Sequence, residues 1–583
     1  MRHKMNNRTI YIRFAIVPLI MLVIAGASHL QAKTIKKYDI VIAGAGTGGW
    51  GTAIQAARMG CCVLLIEETD WIGGQMNAAG VTSMDEGTII REQGLYHEFY
   101  ERVVETYREF GKSVATCYFN KNSCAFEPRI GQRIMYEFIN EVNQKGPGHI
   151  EVSLRSHIVK VDRDGNLVHG ADIESASPAG LVTNHVDCAI LVDATEYGDV
   201  LPLAGVRYRV GKCTSDNIDP MARMQDNTWT AVVKEYPEGI PTEIKLTSPP
   251  PGYDDARQKR RFYRIQVIKP NPQKQLGFED IYAEVAPWQA VSWYRGMPDS
   301  SRTDAPPYPI VTRTHLNISQ NDVETSVGDC EYPEQRWSKE VEMRLTTLQL
   351  LYYLQNELKL PWSVANDEGY DTPYNREQIA RIVNETPSLK PFERVLQLLP
   401  PIAYVRESRR MIGIHTVVAS EIHRPIGPRA SFADAISVND YPEDLHGSKS
   451  PNDIELDLEA APNTESEKLP WIVRGAPFQL PFSAFVPETV DGFLAAEKNI
   501  SQSRLVNGAT RLQPSTMNNG QAVGIIAALA IKNKIQPRAV NVHEVQEMML
   551  DAGVQLVYGQ GEIPRDKQRW KQDQLERLCE DNN

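Results

Sequence analysis

Tyr38-Asp39-Ile40-Val41-Ile42-Ala43-Gly44-Ala45-Gly46-Thr47-Gly48-Gly49, with Cys61-Cys62-Val63-Leu64-Leu65-Ile66-Glu67 after it, decides how this chain folds. It reads as strand, glycine turn, helix, strand and terminal carboxylate, the order that holds the adenosine diphosphate half of a dinucleotide. Gly44 permits the tight turn, Gly46 lets backbone approach a pyrophosphate, and Gly49 lets the helix lie close on the strand. The helix N-terminus then faces the phosphates. Glu67, 21 residues after Gly46 at the end of the second strand, is placed to bind ribose hydroxyls. A glycine triplet alone says little; strand context and the carboxylate make the reading specific.

Outward from this unit, 583 residues exceed one compact core and predict two interleaved domains. The N-terminus carries Arg2, Lys4, Arg8 and Arg13 with no acidic residue, then an apolar run over 14–27, then Ser28-His29-Leu30-Gln31-Ala32. That is a secretory leader over 1–32, with Ala32 the last residue removed. The run's 14 residues fall short of the ~20 that span a bilayer. The expectation is an exported protein, periplasmic or secreted, with no stable membrane span after leader removal; an uncleaved anchor is the alternative. With those four bases set aside from 62 basic and 74 acidic residues, the body carries about −16, which argues against a nucleic-acid partner. The eight cysteines show no Cys-x-x-Cys and no metal-ligand spacing, so neither disulfide reduction nor a metal site is expected. Cys117 and Cys124 flank a loop-like stretch and are either a disulfide of an exported protein or two thiols.

Further along, Gly73-Gly74-Gln75 is a second glycine turn, and helical periodicity covers 91–110 and 130–142. Strands are expected at 150–154, 157–161 and 167–173, with a hairpin turn at 163–166. The apolar run 188–192 enters the polar turn Asp193-Ala194-Thr195-Glu196-Tyr197-Gly198-Asp199, where open α/β sheets place ligands. Residues 340–359 read as an amphipathic helix whose Leu345, Leu348, Leu351, Tyr352 and Leu358 stripe is core, and 439–467 as exposed loops. A small-residue helix over 518–530, with Gly520, Gln521 and Ala522, lets backbone approach a flat ligand and offers it a dipole end.

These blocks, together with Gly80-Val81-Thr82-Ser83-Met84-Asp85-Glu86, Tyr404-Val405-Arg406-Glu407-Ser408-Arg409-Arg410 and Tyr441-x-x-Asp444-Leu445-His446, occur in an order that resembles the bacterial FAD-dependent oxidoreductase family with a glutathione-reductase-type nucleotide domain. The resemblance spans roughly 36–535. It implies an α/β fold: a Rossmann-like FAD-binding domain, a parallel sheet with a hairpin layer, interleaved with an α+β substrate domain. The division expected is FAD domain at 36–211 and 486–535, substrate domain at 212–395 and 425–485, an FAD-proximal segment at 396–424 and a tail at 536–583. It implies FAD bound extended, with Gly44, Gly46 and Gly49 at the pyrophosphate, Glu67 at the ribose, Ala194 and Thr195 near the adenosine and phosphates, and Gly74 and Gln75 along the cofactor. The helix of Gly520, Gln521 and Ala522 would meet the pyrimidine end of the isoalloxazine. Glu497-Lys498-Asn499 departs from the Gly-Arg-Asn that relatives often carry.

For the chemistry, the histidine candidates are His415, His423 and His446. Asp444 and His446, two apart in an extended segment, share a face, so the carboxylate can hold the imidazole as a base; an exposed loop histidine is the alternative. Arg406, Arg409 and Arg410, on a segment expected to begin a helix, either clamp a substrate carboxylate or form a buried ion-pair network. Asp85 and Glu86 either line the ring-side pocket or form an exposed acidic turn. With no second dinucleotide turn visible, a dehydrogenase or oxidase taking hydride from a small alcohol or amine and passing electrons to an unknown acceptor is favoured. A C=C reductase fed by a redox partner, or a structural or binding role only, are the alternatives.

Overall fold

A computed structural model describes residues 36–87, 89–114, 124–265, 295–302, 312–422, 432–447, 450–459, 477–558 and 566–579. The leader, Cys117 and His423 lie outside them. Strand β1 (Lys36–Ala43) has Ile40, Val41, Ile42 and Ala43 all buried, the mark of a parallel strand covered on both faces. It pairs in parallel with β2 (Cys62–Ile66), which pairs in parallel with β3 (His149–Ser153). The long antiparallel pair β4 (Ser156–Asp164) and β5 (Leu167–Ser177) folds onto β6 (Gly180–Asp193), whose far end runs parallel to β1. β7 (Phe493–Ala495) closes this end of the sheet, parallel to β6. The order β3-β2-β1-β6 puts the reversal of winding at β1, so the ends at Ala43, Ile66 and Asp193 open onto one crevice.

Helix α1 (Thr47–Arg58) returns from β1 to β2. Helices α2 (Gly94–Glu109) and α3 (Pro128–Lys145) bury Phe99, Val103, Ile134 and Phe138, and the Trp50 ring of α1 meets Phe138 edge-on at 5.2 Å. A separate antiparallel sheet has the order 296–297, 313–316, 231–235, 362–364. Against it lies α4 (Pro333–Asn356), with Leu348 and Leu351 fully buried and Leu345, Tyr352 and Leu358 packed at the edge of a second hydrophobic core. The stripe is therefore core, as its spacing predicts. Both cores belong to one compact unit, Lys36–Asn583.

Three expectations need correction. Residues 406–409 are extended and lead into the strand Arg410–Met411, not a helix, because each arginine side chain is drawn to a different buried partner. Residues 439–445 are not exposed loop: Asn439, Tyr441, Glu443 and Leu445 are buried in alternation, as in an extended segment with one face inward. The small-residue helix starts earlier than Asn518: α6 runs from Gln513 to Asn533, with Pro514 in its first turn, after the short helix α5 (Arg504–Thr510).

Candidate functional site

The glycine turn is built as its sequence requires. Gly44 has φ +93° and donates its N–H to Ile66 O at 2.9 Å. A Cβ on Gly49 would stand 1.9 Å from Gly44 O, and one on Gly44 would stand 2.2 Å from Ala194 O. Gly46 precedes the first turn of α1 and accepts from Trp50 N at 2.8 Å. The second glycine turn docks on the first through Gly73 N and Ala45 O at 2.7 Å, with Gly74 against the Cα of Gly46. Glu67 is buried at the end of β2, accepting from Ala45 N at 3.1 Å and Thr69 N at 3.0 Å. Burial pushes its carboxyl up to about 7 against those hydrogen bonds. In the third turn Asp193 accepts from Thr195 N, Val200 N and Leu201 N at 2.9–3.0 Å. The Thr195 hydroxyl donates to Asp193 and accepts from Asp199 N, so it shapes the turn.

Two carboxylates stand at the mouth of this turn. Glu497 accepts from Gly48 N, in the first turn of α1, at 2.8 Å. Glu196 accepts from Gln75 N at 2.9 Å and pairs with the buried ammonium of Lys498. Burial drives the Glu497 carboxyl upward, which Lys498 opposes and Glu196 reinforces. The amide end of α1 is an anion site in any protein; here the protein's own carboxylate lies on it.

The isoalloxazine end of an extended cofactor would fall where Gln75, Thr82 and the start of α6 converge. Gln75 Nε2 donates to Arg511 O at 2.8 Å and Gln513 Nε2 to Val81 O at 2.9 Å. Among the described residues the Oε1 of each has no partner despite burial, nor do Thr82 Oγ1 and Asn519 Nδ2. Buried polar atoms are nearly always paired. Unsatisfied acceptors at Gln75, Gln513 and Thr82 suit the N–H edge of a flavin's pyrimidine ring, so the residues present fit FAD at both ends. Gly520, Gln521 and Ala522 have another place than the one expected. The dipole end of α6 lies at Gln513, about two turns earlier, and Gly520 packs on α1, where a Cβ would stand 2.1 Å from Gly48 O. Gln521 Oε1 accepts from Leu95 N at 2.9 Å and its Nε2 donates to Gln55; Ala522 is buried in the core.

Next to the start of α6 the structure brings together Asp444, His446 and Arg406. Arg511 bonds the Tyr404 hydroxyl and donates to Asp444 O at 3.1 Å. His446 has Asp444 Oδ2 at 3.2 Å from Nε2 and Asp322 Oδ2 at 2.9 Å from Nδ1. Each ring nitrogen thus faces a carboxylate oxygen, and neither is left open toward a substrate as a free base would need to be. That corrects the general-base expectation. Although burial alone would raise them, the Asp322 and Asp444 carboxyls are held well below the usual range, by Arg406 and His446 at the first and by His446 and Arg511 at the second. Arg406 has both terminal nitrogens engaged: Nη1 donates to Asp226 O and Thr228 Oγ1, Nη2 to Asn317 Oδ1 and Asp322 Oδ1, at 2.7–3.1 Å. It cannot clamp a substrate carboxylate bidentately; it positions Asp322 and lies 4.5 Å over the Tyr404 ring.

The other candidates are structural. Arg409 pairs with Asp199 and Glu331 at 2.7 Å and Arg410 with Glu455 at 2.9 Å, all but Asp199 buried or nearly so. His415 lies near Glu421, whose hydrogen bond raises its pKa, away from this cluster. Glu86 is buried and holds Tyr96 and Arg91, and Asp85 is buried beside Arg295 at 3.0 Å, so neither forms an exposed turn. Cys124 is buried.

Sequence reasoning missed Tyr404, Asp322, Arg511 and His315. Tyr404 stands inside a quoted motif and Arg511 opens the turn before the small-residue helix; Asp322 and His315 are single polar residues in segments without a pattern. His315 is fully buried with Ser83 Oγ 3.0 Å from Nε2, and Nδ1 has no partner among the described residues. Burial, with Arg295 nearby, keeps it neutral by holding its pKa well below the ordinary value. Ser83 also accepts from Arg295 at 3.1 Å.

A family model described as FAD dependent oxidoreductase matches residues 39–549. No curated protein matches. Among solved structures, a geranylgeranyl bacteriochlorophyll reductase-like protein from Thermoplasma acidophilum is 10% identical, over 94% of this chain and 88% of that one, with a TM-score of 0.30. THI4 from Thermovibrio ammonificans is 16% identical over 30% of this chain and 66% of that one, with a TM-score of 0.21. L-proline dehydrogenase from P. horikoshii is 13% identical over 35% and 62%, with a TM-score of 0.23. This chain spans 42% to 66% of the length of the first five solved structures it matches.

Proposed function

The chain belongs to the FAD dependent oxidoreductase family, and on that premise we propose that it is an exported dehydrogenase or oxidase acting on a small organic substrate of the alcohol or amine type. FAD, when bound, supplies the hydride acceptor. Gly44, Gly46, Gly49 and Glu67 would hold its adenosine diphosphate half, with Ala194, Thr195 and Gly74 beside it, and Gln75 and Gln513 would line its ring end. The observation that carries the reading is the unbroken polar chain from that ring end outward: Gln75 to the Arg511 carbonyl, Arg511 to Tyr404 and Asp444, Asp444 to His446. In it the Tyr404 oxygen accepts from Arg511, which leaves its own proton for another acceptor. Tyr404 is therefore the group assigned to exchange a proton with the substrate's hydroxyl or amine. His446, held between Asp322 and Asp444, fixes that wall.

The purified protein is expected to show flavin absorption bands, bleached anaerobically by an alcohol or amine donor. Absence of flavin after reconstitution would sink the enzyme reading, and reoxidation of reduced protein by enoates with no donor bleaching would replace it with C=C reduction. Tyr404→Phe should lower kcat by about 10²-fold or more while the flavin bands stay. Fractionation of the native host tests export: mature protein starting after Ala32 outside the cytoplasm is the expected result.

A further inference from the structure

A cleft of about 490 Å³ opens beside the His446 cluster, lined by Lys259, Arg260, Arg261 and Arg264, by four carboxylates, and by Ser319 and Gln320. Its charge is less balanced than its composition. Asp322 is engaged by His446 and Arg406, Asp226 and Glu324 by Arg223, and Glu342 by Lys339 at 2.8 Å. None of these partner cations lines the cleft. Among the described residues Lys259, Arg261 and Arg264 have no carboxylate partner, and Arg260 is only 4.0 Å from Glu342. The carboxylates are thus engaged from outside the cleft, Arg223 serving two of them, while three exposed cations that line it have no carboxylate partner among the described residues. Arg261 also holds φ at 56°, a left-handed conformation that side chains other than Gly, Asn and Asp rarely adopt. Arg260 ties this basic turn to the reaction cluster, since its guanidinium bonds the carbonyl of Asp322, whose carboxylate holds His446.

We propose that this cleft binds a small, multiply charged oxyanion, and that it receives the anionic end of the molecule being oxidised; the second clause rests on the His446 cluster being the reaction site. The volume is that of a small-molecule site rather than of a macromolecular groove. Uncompensated guanidinium and ammonium groups in a cleft select carboxylate or phosphate oxygens. Both chemistries satisfy the same three cations.

The test uses flavin-loaded protein and two probes, citrate for carboxylates and inorganic pyrophosphate for phosphates, titrated by calorimetry at low salt. At least one is expected to bind with submillimolar affinity, and the tighter one identifies the chemistry. The triple variant Lys259→Gln, Arg261→Gln, Arg264→Gln should weaken that binding by about tenfold or more with an unchanged flavin spectrum. Should the triple variant not fold, Lys259→Glu alone, at an exposed position, should weaken binding by about threefold or more. Failure of both probes to bind the unaltered protein, or variants that bind as tightly as it does, would overturn the proposal. Because binding is read without turnover, these outcomes are separate from the oxidoreductase reading. A donor screen separates them again: bleaching by organic acids but not their methyl esters supports the anionic-end assignment, whereas bleaching by the esters alone overturns it and leaves the oxidation standing.

Discussion

Glu497 accepts the Gly48 amide at 2.8 Å while its second oxygen stays buried without a partner among the described residues. A dinucleotide diphosphate needs the same amide end of α1, so a charged Glu497 repels the ligand and a protonated one does not. Burial drives this carboxyl up to about 7, with Glu196 and Lys498 beside it and Thr516 bonded to it. Raising pH from 6 to 8 through that value should therefore weaken FAD binding to apoprotein, on the order of tenfold, the factor one pKa unit represents. Glu497→Gln should flatten the dependence and bind more tightly at pH 8, as measured by quenching of free flavin fluorescence. Equal pH dependence in both proteins would count against it. The sequence displayed Glu497 as a departure, yet its contact with Gly48 spans 449 residues and has no local signal. His446 shows the same limit. Spacing found Asp444, whereas Asp322 comes from a segment over a hundred residues away and clamps the candidate base between two carboxylates.

Helix α6 illustrates what periodicity reads and what it does not. The run of Gly and Ala announced close packing and delivered it, but against α1 and not against a ring. Thr52 Oγ1 lies 2.9 Å from Gly48 O and 3.1 Å from Gly520 O, so the two backbones meet across a single hydroxyl. The start is missed because Arg511-Leu512-Gln513-Pro514 reads as a turn, while proline in a first helical turn costs nothing. Gly520→Ala would set a methyl 2.1 Å from Gly48 O, with backbone on both sides and nothing flexible to yield. The expected cost is about 3 kcal/mol or more in stability, measured by denaturant unfolding, with flavin lost alongside. A variant as stable as the parent would show that the crossing relaxes easily. The strands β1, β2 and β6 were legible because their apolar runs end in turns that only glycine and aspartate build. The short strands near Arg313 were not, since that buried guanidinium is matched by Glu127, Asp299, Asp367 and Glu368 from three separate segments.

At the scale of the molecule, several buried carboxyls shape how stability varies with pH. Glu67 and Glu368 are pushed up to about 7 and Asp193 to about 6, each chiefly by burial, and Glu497 behaves alike. Between about pH 4.5 and 7 the folded chain therefore holds more protons at these sites than the unfolded one, and stability falls as pH rises. Asp322 and Asp444 act the other way, their contribution being lost below about pH 4. His315, buried and neutral, opposes the first trend below about pH 6.5, but as one group against four. The apoprotein should melt at higher temperature at pH 5.5 than at pH 8, and a Tm that rises over this interval would contradict the assignment. The crossing of α1 and α6 has a further consequence in time. The hydroxyl contact that locks it joins residues 468 apart, so β1 and its turn stay unfinished until about nine-tenths of the chain is made. Such long-range closure is slow. A truncated chain can then form the opening βαβ unit but not retain a cofactor in it, which makes loading a checkpoint that only the complete polypeptide passes.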